Sequence, residues 1–375
     1  MSNSTGSQFT IRQPPFPMPL PVMRGVLGAR RRVIDLADAG LPGEAALFDL
    51  TLGLQRTKIA GTLVTSGMAD ALGEDSRDPV DLARELGFDP DVTTRLVDTA
   101  VAARLMRLDR NGRARLSRLG APLCASHPRS IASWVSFIAD PDSAAVYADL
   151  DAQLREGAQP SGHQRAFGKS IWEYFGERPA AGARFADAMR QLTAIDLAAM
   201  VRAYPWPRRG VICDVGGGIG HLLAAILERR RGVRGILLDA PEVIEEADDF
   251  LRARGLADRI ERRAGDLFGD LDARADIYTM KWILHDWSDD ACRDILGRVR
   301  ATMPSGSKLV TIDLDREPGR PNSHTSMMDL LMLVFCEGGH ERSPHEVHAL
   351  MRDAGLTPGR VRHSGFTMLV EGVAP

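Results

Sequence analysis

The sequence predicts an α/β protein: a doubly wound, mostly parallel sheet of Rossmann type, preceded by a mainly α-helical domain ending in a winged helix. Three observations carry the expectation. From Val211 onward, apolar strands ("VICDV", "RGILLDA", "RIERRAGDLF", "ADIYTMKWIL", "KLVTIDL") alternate with helical stretches, the rhythm of a parallel sheet with helices on its faces. The first strand runs into a glycine turn, "DVGGGIG" at 214–220, where such sheets hold a ligand. Upstream, residues 78–120 read as helix, turn, helix and hairpin.

A chain of 375 residues has room for more than one domain at roughly 100 to 200 residues each. Residues 1–25 read as an extended arm, because the prolines of "PPFPMPLP" favour polyproline-like backbone. Residues 26–125 form the helical and winged-helix domain. There, "LPGEAALFDLTLGL" and "IAGTLVTSGMADAL" repeat apolar residues at helical spacing. Asp78 and Pro79 start a helix that Gly87 ends, and Asp89 and Pro90 start the next. Asn111 and Gly112 between "LMRLD" and "ARLSRL" signal the hairpin. Residues 126–208 read as a helical linker region, and "YPWPRRG" marks the passage to a domain over 209–375.

Composition excludes several classes. A net charge of −3 provides no general attraction for nucleic acid or an acidic membrane. The second helix of the winged motif, "DPDVTTRLVDTAVAARLM", has two Asp in its exposed turns and few cations, poor material for phosphate contacts. Cys124, Cys213, Cys292 and Cys336 lie far apart without a C-x-x-C pair, so no zinc ribbon or disulfide framework is expected. His345 and His348 read as solvent-face residues of a capped helix, with no third metal ligand in reach. No run of about 18 apolar residues occurs and no apolar leader opens the chain. The expectation is a cytoplasmic protein without metal, nucleic-acid or membrane partner.

The glycine turn narrows the ligand. A dinucleotide fingerprint from Gly216 requires a third glycine at 221, and that residue is His221. What stands instead is an acid, Asp214, followed by Gly216, Gly218 and Gly220. A carboxylate there repels pyrophosphate and attracts an ammonium or sulfonium group. Asp239 closes the second strand, placed to take both hydroxyls of a ribose. Asp266, with Leu267 beside it in "GDLF", follows the third strand as an adenine contact. This ordered set resembles the S-adenosylmethionine site of class I methyltransferases.

The fourth strand leads into "MKWILHDWSDDACRDIL". With "LLDAPEVIEEA", "WEYF", "FADAM" and "GGHERS", it resembles the dimeric small-molecule O-methyltransferases of plant phenolic and bacterial polyketide-tailoring type, over roughly residues 40–372. The resemblance implies a Rossmann-like methyltransferase domain with a seven-stranded sheet, S-adenosylmethionine as cofactor and a homodimer. It makes His285 the general base, held by Glu341 and by Asp313, where relatives often carry the longer Glu. It places Lys281 and Trp282 beside the cofactor. Chemistry asks for such a base, since a phenol titrates near about 10 and a neutral imidazole near about 6.5. Asp286 and Ser288 read as caps of the following helix, and Asp286 also borders the acceptor.

Met328, Leu331, Met332 and Phe335 form one helical stripe. Core packing is its default reading, while the resemblance turns the same helix toward a small aromatic acceptor. Phe167, Trp172, Phe175 and Met189 are the expected opposite wall. Two other readings stay open: a family relative that uses the cofactor without methylating, as a hydroxylase, decarboxylase or cyclase, and a winged-helix DNA-binding regulator.

Overall fold

The computed structural model describes residues 20–317, 319, 323–365 and 367–375. It divides into two compact units that interleave in sequence: residues up to Ala144 with Ala180–Ile195, and Ala145–Pro179 with Asp196–Pro375. The expected linker region 126–208 is thus not one body. Its segments are shared between the units, and the division falls inside the helix Pro179–Ala203.

The first unit is helical. Its first helix, Leu20–Ala39, begins earlier than the sequence implies, so the expected arm is corrected over residues 20–25. Pro21 lies in the first turn, where the missing N–H has no helical partner to lose; residues 1–19 lie outside the described residues. The helices Gly43–Thr51, Gly53–Thr65 and Met68–Leu72 follow. Then comes the winged motif. Asp78 accepts the N–H groups of Val80 and Asp81 to start the helix Pro79–Leu86, which Gly87 closes at φ +73°. Asp89 caps Pro90–Ala102, and strands β1 (Met106–Leu108) and β2 (Ala114–Leu116) pair antiparallel. In the hairpin turn the Asp109 carboxylate accepts from Asn111 and Arg113. Leu63, Met68, Leu72, Leu82, Val97 and Met106 form the core of this unit. Truncating one of them, Leu82→Ala for example, costs about 2 to 5 kcal/mol.

The second unit carries the sheet: β3 (Arg209–Val215), β4 (Gly232–Asp239), β5 (Ile260–Ala264), β6 (Ile277–Lys281), β7 (Lys308–Leu314), β8 (Thr357–Ser364) and β9 (Thr367–Val373), in spatial order β5-β4-β3-β6-β7-β9-β8. The first five are parallel, and β9 joins β7 and β8 antiparallel. The central strands are buried on both faces, which is why they read as unbroken apolar runs. Two cores result. One holds Ile212, Leu223, Leu237 and Ile312; the other holds Cys213, Met280, Ile295, Leu309 and Met351. Strand order reverses between β3 and β6, so the turn after β3 opens at the switch point.

Candidate active site

The turn after β3 is shaped by what lies beneath it. A Cβ at Gly217 would stand 2.7 Å from Asp214 Oδ2 and 2.6 Å from Leu237, so nothing larger than glycine fits. Gly218 has φ +60° and open space where its Cβ would be. Gly216 is used otherwise: its N–H goes to the Leu238 carbonyl and its Cα side meets Ile283. From there the helix His221–Arg229 runs back across the sheet.

Asp214 is buried, and Thr279 on β6 donates to its Oδ1 at 2.6 Å, while Oδ2 has no hydrogen-bond partner. Burial pushes its carboxyl up to about 6. Its carboxylate lies directly against Gly217 of the turn. Asp239, at the end of β4, holds the Gly218 N–H at 2.7 Å and the Ala240 N–H at 2.8 Å. Burial raises its carboxyl against those two hydrogen bonds. Beyond β5, exposed Asp266 accepts the Phe268 N–H, and half-buried Leu267 packs on the core.

At the end of β6, Trp282 has φ +56°, a rare conformation for a bulky residue and a sign of local constraint. The Lys281 ammonium lies 3.7 Å from its ring centroid, and burial lowers that ammonium to about 8. The indole Nε1 is buried without a partner.

The turn Leu284–Asp286 presents His285. Its Nδ1 donates to Glu341 Oε1 at 2.9 Å, which leaves Nε2 to take a proton; Nε2 lies 3.5 Å from Asp286 Oδ1. Burial works against the imidazolium, but Glu341, Asp286 and Asp313 outweigh it and raise the ring to about 9. Asp286 does not cap the next helix, contrary to the sequence reading. Ser288 does, through the Ala291 N–H, while Asp286 faces His285 and the Cys336 thiol. Asp313, expected as a second brace, makes no hydrogen bond to the ring; both its oxygens are buried and unpartnered. Burial raises its carboxyl to about 7. An Asp side chain is one methylene shorter than Glu, and Glu341 already occupies Nδ1.

The aromatic residues form one linked set within this unit, joined where Phe175 meets Tyr174 at 6.1 Å. Trp172 stacks on Trp287 with centroids 6.0 Å apart, Phe268 meets Trp287 edge-on at 4.8 Å, and Phe175 meets Trp172 at 6.3 Å. Trp172 and Phe175 thus join the loop that carries His285. Phe167 instead packs on His163 and Tyr174, and Phe335 lies 6.4 Å from the His163 ring. Leu331, Met332 and Phe335 are buried, as the core reading of the stripe expects, and Met328 is half-buried. Met189 lies half-buried in the first unit.

Some functional residues were missed. Arg342 is buried and donates to the carbonyls of Leu284 and Trp287 and to Asp289, clamping the turn that carries His285. It stands beside Glu341 in "GGHERS", and its burial has no sequence signal. His348 is likewise half-buried, with Nε2 on the Glu371 carbonyl, and is not on a solvent face. Among the described residues no group of three or more His, Cys, Asp or Glu is placed to hold a metal ion, and no helix is long and apolar enough to cross a membrane.

A Rossmann-like sheet with an acid-flanked glycine turn at its switch point and a histidine among acids at the next strand end defines the S-adenosylmethionine-dependent methyltransferases. Within that class, residues 147–357 match the O-methyltransferase domain family, and the chain belongs to it. It is 31% identical to the O-demethylpuromycin-O-methyltransferase of Streptomyces alboniger, the match spanning 92% of each chain. The solved structure of the mitomycin 7-O-methyltransferase MmcR is 32% identical with a TM-score of 0.82, over 91% of this chain and 100% of that one. The O-methyltransferase NcsB1 from neocarzinostatin biosynthesis, solved with S-adenosylmethionine and 2-hydroxy-5-methyl naphthoic acid, is 27% identical with a TM-score of 0.73, over 86% and 96% of the two chains. The protein is an S-adenosylmethionine-dependent O-methyltransferase.

The residues fit this cofactor. Gly218 leaves space at the turn, the Asp239 carboxylate stands beside it, and the Trp282 indole N–H is buried without a partner.

Proposed function

We propose that the protein methylates a hydroxyl of a flat aromatic small molecule in bacterial secondary metabolism, as a cytoplasmic homodimer, with His285 as general base. The observation that carries the reading is the 2.9 Å contact between His285 Nδ1 and the buried Glu341, which holds the ring and leaves Nε2 as the nitrogen through which it would exchange a proton. Asp239 would hold the ribose, Asp266 and Leu267 the adenine side, Gly216 and Gly218 the turn, Lys281 and Trp282 the flank, and Asp214 the positive end. When bound, the cofactor supplies an electrophilic methyl group on a sulfonium sulfur. His285 takes the acceptor's proton at Nε2, and Glu341 stabilises the resulting imidazolium. Alignment carries most of the acceleration, worth about 7 to 11 kcal/mol for a well-positioned pair; a general base adds about 10²- to 10⁴-fold. Trp172, Phe175 and Met328, with Phe167, Asp286, Leu331, Met332 and Phe335, are the proposed acceptor surroundings. The naphthoic acid bound by NcsB1 is a flat aromatic of the proposed kind.

His285→Ala tests the assignment. We expect kcat to fall by about 10²-fold or more, while calorimetry shows S-adenosylhomocysteine bound as in the native protein. Full methyl-transfer turnover in the variant would remove His285 from the chemistry.

A further inference from the structure

We propose that Asp329, backed by Arg316, is a positioning residue for the reaction: it fixes the backbone of Glu341 and thereby sets how closely that carboxylate meets His285. The inference rests on the reading of His285 and Glu341 above and adds the residue from which Glu341 takes its place. Asp329 is the only carboxylate of the helix Ser323–Phe335, set half-buried in its apolar run "MMDLLMLVF". Core packing does not explain a charge at that point.

The Glu341 side chain is held at one point. Its Oε1 accepts from His285 Nδ1 at 2.9 Å, and its buried Oε2 has no donor. The last torsion of a glutamate is soft, so the carboxylate is placed by its main chain. That main chain lies outside any helix or strand, and its polar groups are met by side chains instead. Asp329 Oδ1 accepts the Glu341 N–H at 2.8 Å, and Arg316 Nη1 donates to the Glu341 carbonyl at 3.4 Å. Arg316 Nε stands 3.7 Å from Asp329 Oδ2, so the two residues that grip Glu341 from either side also face each other. The flanking residues reach the His285 turn itself. Arg342 donates to the carbonyls of Leu284 and Trp287, and a Cβ at Gly339 would stand 2.6 Å from the His285 carbonyl oxygen. Asp329 and Arg316 are what tie Glu341 to other elements, and a charged acceptor makes the stronger hydrogen bond.

The test follows the His285 ring by NMR of imidazole-labelled protein with S-adenosylhomocysteine bound, its signal identified by its loss in His285→Ala. Glu341, Asp286 on the same turn and Asp313 on β7 are the charges that act on the ring and hold it near about 9. In Asp329→Ala the Glu341 N–H loses its acceptor and the contact with Nδ1 loosens, so the midpoint should fall by about one unit or more. Glu341→Gln should lower it further. Asp329→Asn keeps an accepting oxygen and should titrate close to the native protein. With Glu341→Gln already in place, adding Asp329→Ala should move the midpoint no further, because no carboxylate is left to position. An unmoved midpoint in an Asp329→Ala that binds S-adenosylhomocysteine as the native protein does, or an equal fall on the Glu341→Gln background, overturns the role and leaves the His285–Glu341 pair standing. If Asp329→Ala does not bind the product, Arg316→Ala is read in the same way: a fall supports the role, and an unmoved midpoint overturns it. A native ring that titrates in the ordinary imidazole range and ignores Glu341→Gln removes the reading beneath it as well.

Discussion

At His285 the proton balance is set by its neighbours. An imidazole near about 6.5 in water is raised to about 9 here: burial opposes the charge, but Glu341, Asp286 and Asp313 prevail. With His285 as the proposed base, its protonated form cannot accept the acceptor's proton, so on that proposal only a fraction of the protein is competent below about pH 9, and that fraction grows as pH rises. We expect kcat/KM to climb with pH toward a plateau near that value. Ionisation of the acceptor hydroxyl would produce a similar limb, which makes Glu341→Gln the deciding variant. Removing that carboxylate removes the largest charge holding the proton on the ring. The limb should therefore move to lower pH while the plateau falls, because the ring is also less well held. A limb that stays in place in Glu341→Gln belongs to the substrate and refutes the assignment. The pairing of His285 with Glu341 was legible from motifs, whereas the orientation of Asp313 was not, because reach depends on backbone placement that no motif encodes.

The turn between β3 and its following helix separates two uses of glycine. A methyl at Gly217 would meet the Asp214 carboxylate and Leu237 at 2.7 and 2.6 Å. Gly217→Ala therefore overpacks a dry layer and should cost about 1 to 3 kcal/mol of stability, read as a lower midpoint in urea. Gly218→Ala meets no protein atom but places a side chain at φ +60°, at a strain of about 1 to 2 kcal/mol. Its larger effect should be on the ligand, with S-adenosylhomocysteine affinity down by about tenfold or more. The proposal for this turn fails if calorimetry finds unchanged affinity in a folded Gly218→Ala. The glycine spacing and strand rhythm were legible because a parallel sheet buries both faces and must end each strand at a turn. The last hairpin, β8 with β9, was not marked element by element: β8 is half-exposed and carries Arg360, Arg362 and His363, so its pattern lacks the apolar run.

For the whole molecule, linear reading failed where chain order and packing diverge. Residues 145–179 pack with the catalytic unit and 180–195 with the helical one, and nothing in an even helical pattern marks that exchange. Amphipathic patterning did mark a surplus of apolar surface near the start of the chain. In the helix Gly43–Thr51 no residue is buried, and Leu36, Leu47, Phe48, Leu50 and Leu54 are each more than 60% exposed. Leaving such a group in water forgoes about 1.5 to 3 kcal/mol per side chain, and a contiguous apolar face of this kind marks an interface. In the proposed homodimer a twofold axis would cover it with the same face of a second copy. Phe48→Glu with Leu50→Glu places two like charges on each side of that contact, so sedimentation equilibrium should find a dimer for the native protein and a monomer for the variant. A native protein that sediments as a monomer at micromolar concentration, or a double variant that remains dimeric, would show that these helices serve another purpose.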